Sequence, residues 1–264
     1  MILRGDYYSD ILRSTANVQF MIPENYDNPE NKEPYKVVYL LHGQHGNQGS
    51  WINNSMLPFY GKKYNAVFVM PEVGRSFYLN LKYGRSYYTY VSEELPKICR
   101  KIFNISARYE DTAVMGYSMG GYGSLMLSLS KPGVYSFCGA ISPACLYFRP
   151  ILDALRKDTS IYKKLGYEGE ESLKDTYAVY GVDLESIPEY DIMTLVKNYP
   201  ADKPKPKFYV TCGTEDSLLK ENHKFRDEMK TTDFNYTYEE WSGNHDWDFF
   251  NEGLKKTLEI WNKG

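Results

Sequence analysis

Ala113-Val114-Met115-Gly116-Tyr117-Ser118-Met119-Gly120-Gly121-Tyr122-Gly123 decides how this chain is read. A short apolar run enters the stretch, and a helical pattern continuing through Ser124-Leu125-Met126-Leu127 leaves it. Between them stands Gly-x-Ser-x-Gly. A strand-to-helix turn this tight forces its serine into a strained backbone conformation, and the flanking glycines leave room for strand and helix to approach closely. The Ser118 hydroxyl then stands clear at the end of a sheet. It also sits at a helix N-terminus, where free N–H groups and the dipole favour negative charge. The pentapeptide alone occurs often by chance. The strand before it and the helix after it make Ser118 a candidate nucleophile.

The same alternation extends along the chain. Apolar runs at 37–41, 66–70, 137–141 and 208–212 have the length and continuity of strands buried on both faces. Helical patterns fall at 89–103, 119–130, 217–230 and 247–262. Strands alternating with helices predict an α/β fold with a mostly parallel central sheet covered on both faces. Residues 15–22 are expected to form an antiparallel edge strand and 235–241 the last strand. Residues 144–206 break the alternation, being long, charged and tyrosine-rich, and end in Lys203-Pro204-Lys205-Pro206. They are expected to form a lid-like insertion in a single domain spanning 1–264.

A serine hydroxyl is a poor nucleophile near neutral pH and needs a base. The chain has four histidines. His245, in Ser242-Gly243-Asn244-His245-Asp246, lies between the last strand and the last helix and is the expected base. His42 and His45 follow the 37–41 strand. His42 is expected to brace that loop by hydrogen bonding, the role of His45 is open, and a metal site at the pair is not expected. His223, on a charged helix, is expected at the surface. The acid that orients the base must lie between Ser118 and His245 in chain order. Gly213-Thr214-Glu215-Asp216 follows the 208–212 strand and offers Asp216, with Glu215 as the alternative. Two backbone donors are needed for the developing oxyanion, and the N–H groups of Met119 and Gln44 are best placed. Trp51, Tyr117 and Trp247 are candidate walls for the substrate.

Net charge is −3 in 264 residues, which gives no electrostatic footprint for nucleic acid or an anionic membrane. No run of 18 apolar residues is present, and the N-terminal stretch has no apolar leader pattern. Cys99, Cys138, Cys145 and Cys212 form no Cys-x-x-Cys pair and no zinc-ligand spacing. Reduced thiols and a cytoplasmic location are therefore expected.

At this point a family resemblance enters. It is carried by Tyr39-Leu40-Leu41-His42-Gly43 with Ser50-Trp51 downstream, by Val69-Met70-Pro71, and by Ser92-Glu93-Glu94-Leu95-Pro96. The block from Gly116 to Gly123, Cys212-Gly213-Thr214-Glu215-Asp216 and Gly243-Asn244-His245-Asp246-Trp247-Asp248-Phe249 complete it. The chain resembles the tributyrin esterase-like branch of the esterase D and feruloyl/acetyl-xylan esterase group, the carbohydrate esterase family 1-like α/β-hydrolases. That resemblance implies hydrolysis of short acyl or compact aryl-acyl esters through an acyl-enzyme, without a cofactor. It supports Ser118, Asp216 and His245 by position, with Gln44 and Met119 as the oxyanion hole. Tyr117 and Gln44 replace the leucine and the apolar residue frequent at those places, which implies an altered acyl pocket. The partner implied is a small-molecule or oligosaccharide ester, in a monomer or a homo-oligomer. The rival readings are a feruloyl or acetyl-xylan esterase, an S-formylglutathione hydrolase-type thioesterase, and a binding module without catalysis.

Overall fold

The computed structural model describes residues 1–23, 34–160, 169–185 and 188–263. Eight strands form one sheet: β1 (Ile2–Ser9), β2 (Ser14–Met21), β3 (Lys36–Leu41), β4 (Ala66–Pro71), β5 (Thr112–Tyr117), β6 (Phe137–Ile141), β7 (Lys207–Gly213) and β8 (Tyr236–Trp241). Their order is β1-β2-β4-β3-β5-β6-β7-β8. The first two strands run antiparallel to their neighbours, and all pairings from β4 to β8 are parallel. The mostly parallel α/β sheet expected from the strand–helix alternation is therefore present, in the α/β-hydrolase form that the resemblance implies. One expectation is corrected. The strand at 15–22 is antiparallel but not an edge, because β1 pairs with it along its whole length and forms the edge itself.

Side-chain alternation divides the core. Val37, Tyr39 and Leu41 point to one face of the sheet, where α2 (Leu95–Ile102) and α3 (Met119–Ser130) cover them. Val38 and Leu40 point to the other, among residues such as Trp51 of α1 (Ser50–Asn54). β4 and β5 are buried at every position, as their unbroken apolar runs require. Pro96 lies inside the helical stretch from 87 to 102. Just before it the helix widens to a π-turn at Tyr90–Glu94, where the Leu95 N–H reaches back to the Tyr90 carbonyl. Proline lacks one backbone donor, and the wider turn accommodates the altered ladder. All four cysteines are buried thiols outside any disulfide. Burial pushes the Cys99, Cys138 and Cys212 thiols up to about 12, so these behave as small apolar residues.

The described part of the 144–206 insertion comprises α4 (Phe148–Lys157), α5 (Gly169–Tyr180) and α6 (Ile192–Lys197). Residues 161–168 and 186–187 of it lie outside the described residues. Phe148 packs its ring against Phe77, Tyr122 and Tyr180 at 5.2–5.3 Å. The end of α5 is tied to a neighbouring loop by Lys82 N–H to the Val179 carbonyl and Tyr83 N–H to the Ala178 carbonyl. Two further helices, α7 (Leu219–Met229) and α8 (Trp247–Asn262), follow β7 and β8. Among the described residues no helix is long and apolar enough to cross a membrane, and no group of three or more His, Cys, Asp or Glu could hold a metal ion.

Candidate active site

The parallel register brings the carboxyl ends of β3, β5, β7 and β8 to one end of the sheet, where ligands bind in open α/β folds. Ser118 follows β5 directly. Its backbone has φ 54° and ψ −121°, the strained turn expected from the motif. Two glycines make that turn possible. A Cβ on Gly116 would stand 2.3 Å from the Gly120 carbonyl oxygen, and a Cβ on Gly120 would stand 2.4 Å from the Leu41 carbonyl oxygen. Neither neighbour is a movable side chain, so strand, turn and helix meet only with hydrogen at both places.

The loops after β7 and β8 supply the partners of Ser118. His245 Nε2 lies 2.9 Å from Ser118 Oγ, and His245 Nδ1 lies 2.7 Å from Asp216 Oδ2. An ionised carboxylate can only accept, so the proton sits on Nδ1 and the bare Nε2 accepts the serine hydroxyl. The Asp216 side chain is fully buried. Burial, the largest influence on it, pushes its carboxyl up. The His245 ring, the Leu218 N–H at 2.8 Å and the neighbouring Ser142 together outweigh that and hold it below the ordinary 3.8. Glu215 points elsewhere. Its carboxylate accepts from the Gly243 N–H and the Thr214 hydroxyl, while its own N–H donates to the Gly243 carbonyl at 3.1 Å. It thus fastens the loop that carries His245 and does not touch the ring.

A cavity of about 480 Å³ opens over Ser118. Gln44 and Met119 both line it, and neither backbone N–H makes a hydrogen bond among the described residues. Tyr117 and Trp247 line it too, with ring centroids 4.8 Å apart. Trp51 does not: it is 1% exposed, lies edge-on behind both rings, and donates its indole N–H to the Leu41 carbonyl at 3.0 Å. A ring inside the core supports the wall without being part of it. Sequence reasoning passed over Phe77, Cys145, Leu218 and Phe250, which line the cavity as well. Phe250 was open to inference, since it falls three residues after Trp247 and so on the same side of α8. Phe77 carried no such signal, because it sits in a loop with φ 54°.

The other histidines separate by environment. His45 is exposed at the mouth of the cavity. His223 lies on α7, 2.6 Å from Glu240. His42 is buried and braces the loop, with Nδ1 2.8 Å from the Gly43 carbonyl oxygen and Nε2 accepting the Val73 N–H at 3.3 Å. Burial, the largest influence, lowers its pKa below 6.5 despite the nearby Glu72. Native His42 and native Asp216 thus bind fewer protons than their unfolded counterparts. Stability should therefore rise with pH below about 6.5 for His42, and below about 3.8 for Asp216. Thermal melts between pH 8 and pH 3 should show Tm falling once the pH drops below 6.5. A His42→Asn variant should lose that first part of the slope and keep the steeper acid limb. Identical slopes in the two proteins would remove His42 as a cause.

The family model described as "Putative esterase" matches residues 9–259. An acetyl esterase of Caldicellulosiruptor saccharolyticus is 30% identical over 99% of this chain and 98% of its own length. Two solved structures share the fold. One is FphF, a fluorophosphonate-binding serine hydrolase of Staphylococcus aureus, at TM-score 0.83 and 24% identity over 99% of this chain and 98% of that one. The other is the ferulic acid esterase AmCE1/Fae1A of Anaeromyces mucronatus in complex with ferulic acid. It matches at TM-score 0.64 and 20% identity over 98% of this chain and 89% of that one.

Proposed function

Because the chain belongs to the esterase family and is an ester-hydrolysing enzyme, we propose that Ser118 is its nucleophile, with His245 as general base and Asp216 as the residue that orients the base. The observation that carries this reading is the unbroken run of hydrogen bonds from buried Asp216 through His245 to Ser118, ending in the cavity.

Ser118 Oγ attacks the ester carbonyl carbon while its proton passes to His245 Nε2. The carbonyl oxygen becomes an oxyanion held by the Gln44 and Met119 N–H groups. As the tetrahedral adduct collapses, His245 gives its proton to the leaving alkoxide and the alcohol departs. Water then enters, loses a proton to His245, and adds to the acyl-enzyme. Collapse of this second adduct returns the proton to Ser118 and frees the acid. The buried carboxylate of Asp216 stabilises the imidazolium that exists between these proton transfers. Each oxyanion donor is worth roughly 2.7–4 kcal/mol of barrier.

The acyl group proposed is acetyl or another short chain, in keeping with the acetyl esterase relative. The rings of Tyr117, Trp247 and Phe250 on the cavity wall favour a second reading, a compact aryl acyl group such as feruloyl on a sugar. The 144–206 insertion acts as a fixed side wall in this reading, since its described part gives the cavity Ala144 and Cys145 and packs firmly elsewhere. A panel of p-nitrophenyl esters from acetate to octanoate, with methyl ferulate, acetylated xylo-oligosaccharide and S-formylglutathione, tests the proposal. Highest kcat/KM on acetate, falling by at least ~10-fold at octanoate, is expected, since even one methylene that fits badly costs ~1–3 kcal/mol. Preference for methyl ferulate would select the aryl reading, and turnover of the thioester alone would reject both.

A further inference from the structure

The oxyanion donor proposed at Gln44 sits on the loop between β3 and α1. Gly43 and Gly46 close a tight turn by the Gly46 N–H to the Gly43 carbonyl at 3.0 Å. From below, the loop is fixed by His42 and by the Tyr117 ring, which lies so close that a Cβ on Gly43 would stand 2.5 Å from it. On the outer side the Gln44 side chain reaches the insertion, where its amide Nε2 donates to Asp175 Oδ2 of α5 at 3.4 Å. The same carboxylate oxygen is 2.7 Å from Arg75 Nε. Arg75 follows Val73, whose N–H holds His42, so the loop that fixes the histidine also carries this arginine. The C-terminal end of α5 is anchored independently, through the backbone pairs with Lys82 and Tyr83. Asp175 is therefore held in place by its helix and oriented by Arg75, with the side chain only 23% exposed.

We infer that Asp175 is a positioning residue: oriented by Arg75, it holds the Gln44 side chain and so fixes the direction of the Gln44 backbone N–H toward the oxyanion. This rests on the proposed serine mechanism and adds to it a role for the insertion. The long segment sets the rate through the oxyanion loop as well as walling the cavity. Positioning acts on the transition state, where charge has developed, more than on substrate in the ground state. Its loss should therefore appear in kcat and spare KM.

The test uses the full chain with p-nitrophenyl acetate. Asp175→Ala and Gln44→Ala should each lower kcat by ~10-fold, less than the 10²–10³ expected for complete loss of an oxyanion donor, with KM changed by no more than about twofold. Because both variants break one interaction, the double variant should be no slower than the slower single one. Asp175→Asn, whose carbonyl still accepts from Gln44, should recover most of the loss. Gln44→Ala keeps the backbone donor and alters a half-exposed side chain, so it reports even if Asp175→Ala folds poorly. A kcat for Asp175→Ala or Gln44→Ala within about twofold of wild type would overturn the inference, as would losses that multiply in the double variant. Ser118→Ala is run in parallel. Turnover that survives it would reject the serine mechanism itself, whereas serine-dependent turnover indifferent to position 175 rejects only the positioning role.

Discussion

Ser118→Ala should lower kcat on p-nitrophenyl acetate by roughly 10⁴–10⁶-fold while leaving the fold intact. The Ser118 oxygen stands 2.9 Å from His245 Nε2 and opens on the cavity. Removing it leaves water as the attacking group, without the covalent intermediate that divides one hard step into two. The residual rate would come from the oxyanion donors and from binding. Alanine carries the same Cβ and meets the same backbone strain, so Tm should move little. Covalent labelling by a fluorophosphonate probe should disappear with turnover. Activity within about tenfold of wild type would mean that another group attacks the ester.

Asp216→Asn should cost ~10⁴ in kcat, with a modest loss of stability at neutral pH, where the ionised carboxylate held below its ordinary pKa supports the fold. The geometry explains the size. A carboxylate 2.7 Å from Nδ1 keeps the ring proton there and leaves Nε2 free to accept from Ser118. An asparagine can present its N–H to Nδ1, which drives the ring proton to Nε2 and blocks the proton transfer from serine. Glu215→Gln provides the contrast. Its carboxylate holds the Gly243 N–H and the Thr214 hydroxyl, so kcat should fall by less than about tenfold, through a looser His245 loop. Kinetics of the two variants on one ester, with CD spectra to verify folding, would separate the adjacent acids. A larger loss at 215 than at 216 would exchange their roles.

That pair also marks where sequence reasoning reached its end. The proposed nucleophile and base could be named from the sequence because a strand–turn–helix constellation and the order of strands left one place for each. Glu215 and Asp216 are neighbours in a single turn, and which one faces inward depends on a loop closure, Glu215 to Gly243, between segments 28 residues apart. The parallel strands were legible through their unbroken apolar runs. β1 was not, since Arg4, Gly5 and Asp6 interrupt it and nearly every residue in it is exposed or half-buried. Its inward face is Gly5, Tyr7 and Ser9, with a single large ring among them, so it carries no hydrophobic period. Trp51 and Trp247 read alike in sequence. Only the register of β3, whose Leu41 carbonyl takes the Trp51 indole N–H, places one ring in the core and leaves the other at the cavity.

The φ of 54° at Ser118 has a consequence for how this chain can change over generations. A residue with a Cβ held there costs about 1–3 kcal/mol, whereas glycine adopts such angles freely and returns only ~0.5–1 kcal/mol of that gain as extra freedom in the unfolded chain. Folding alone would therefore put glycine at position 118. Drift toward a more stable protein leads away from chemistry at this place, and regaining the lost hydroxyl would mean moving against the stability gradient.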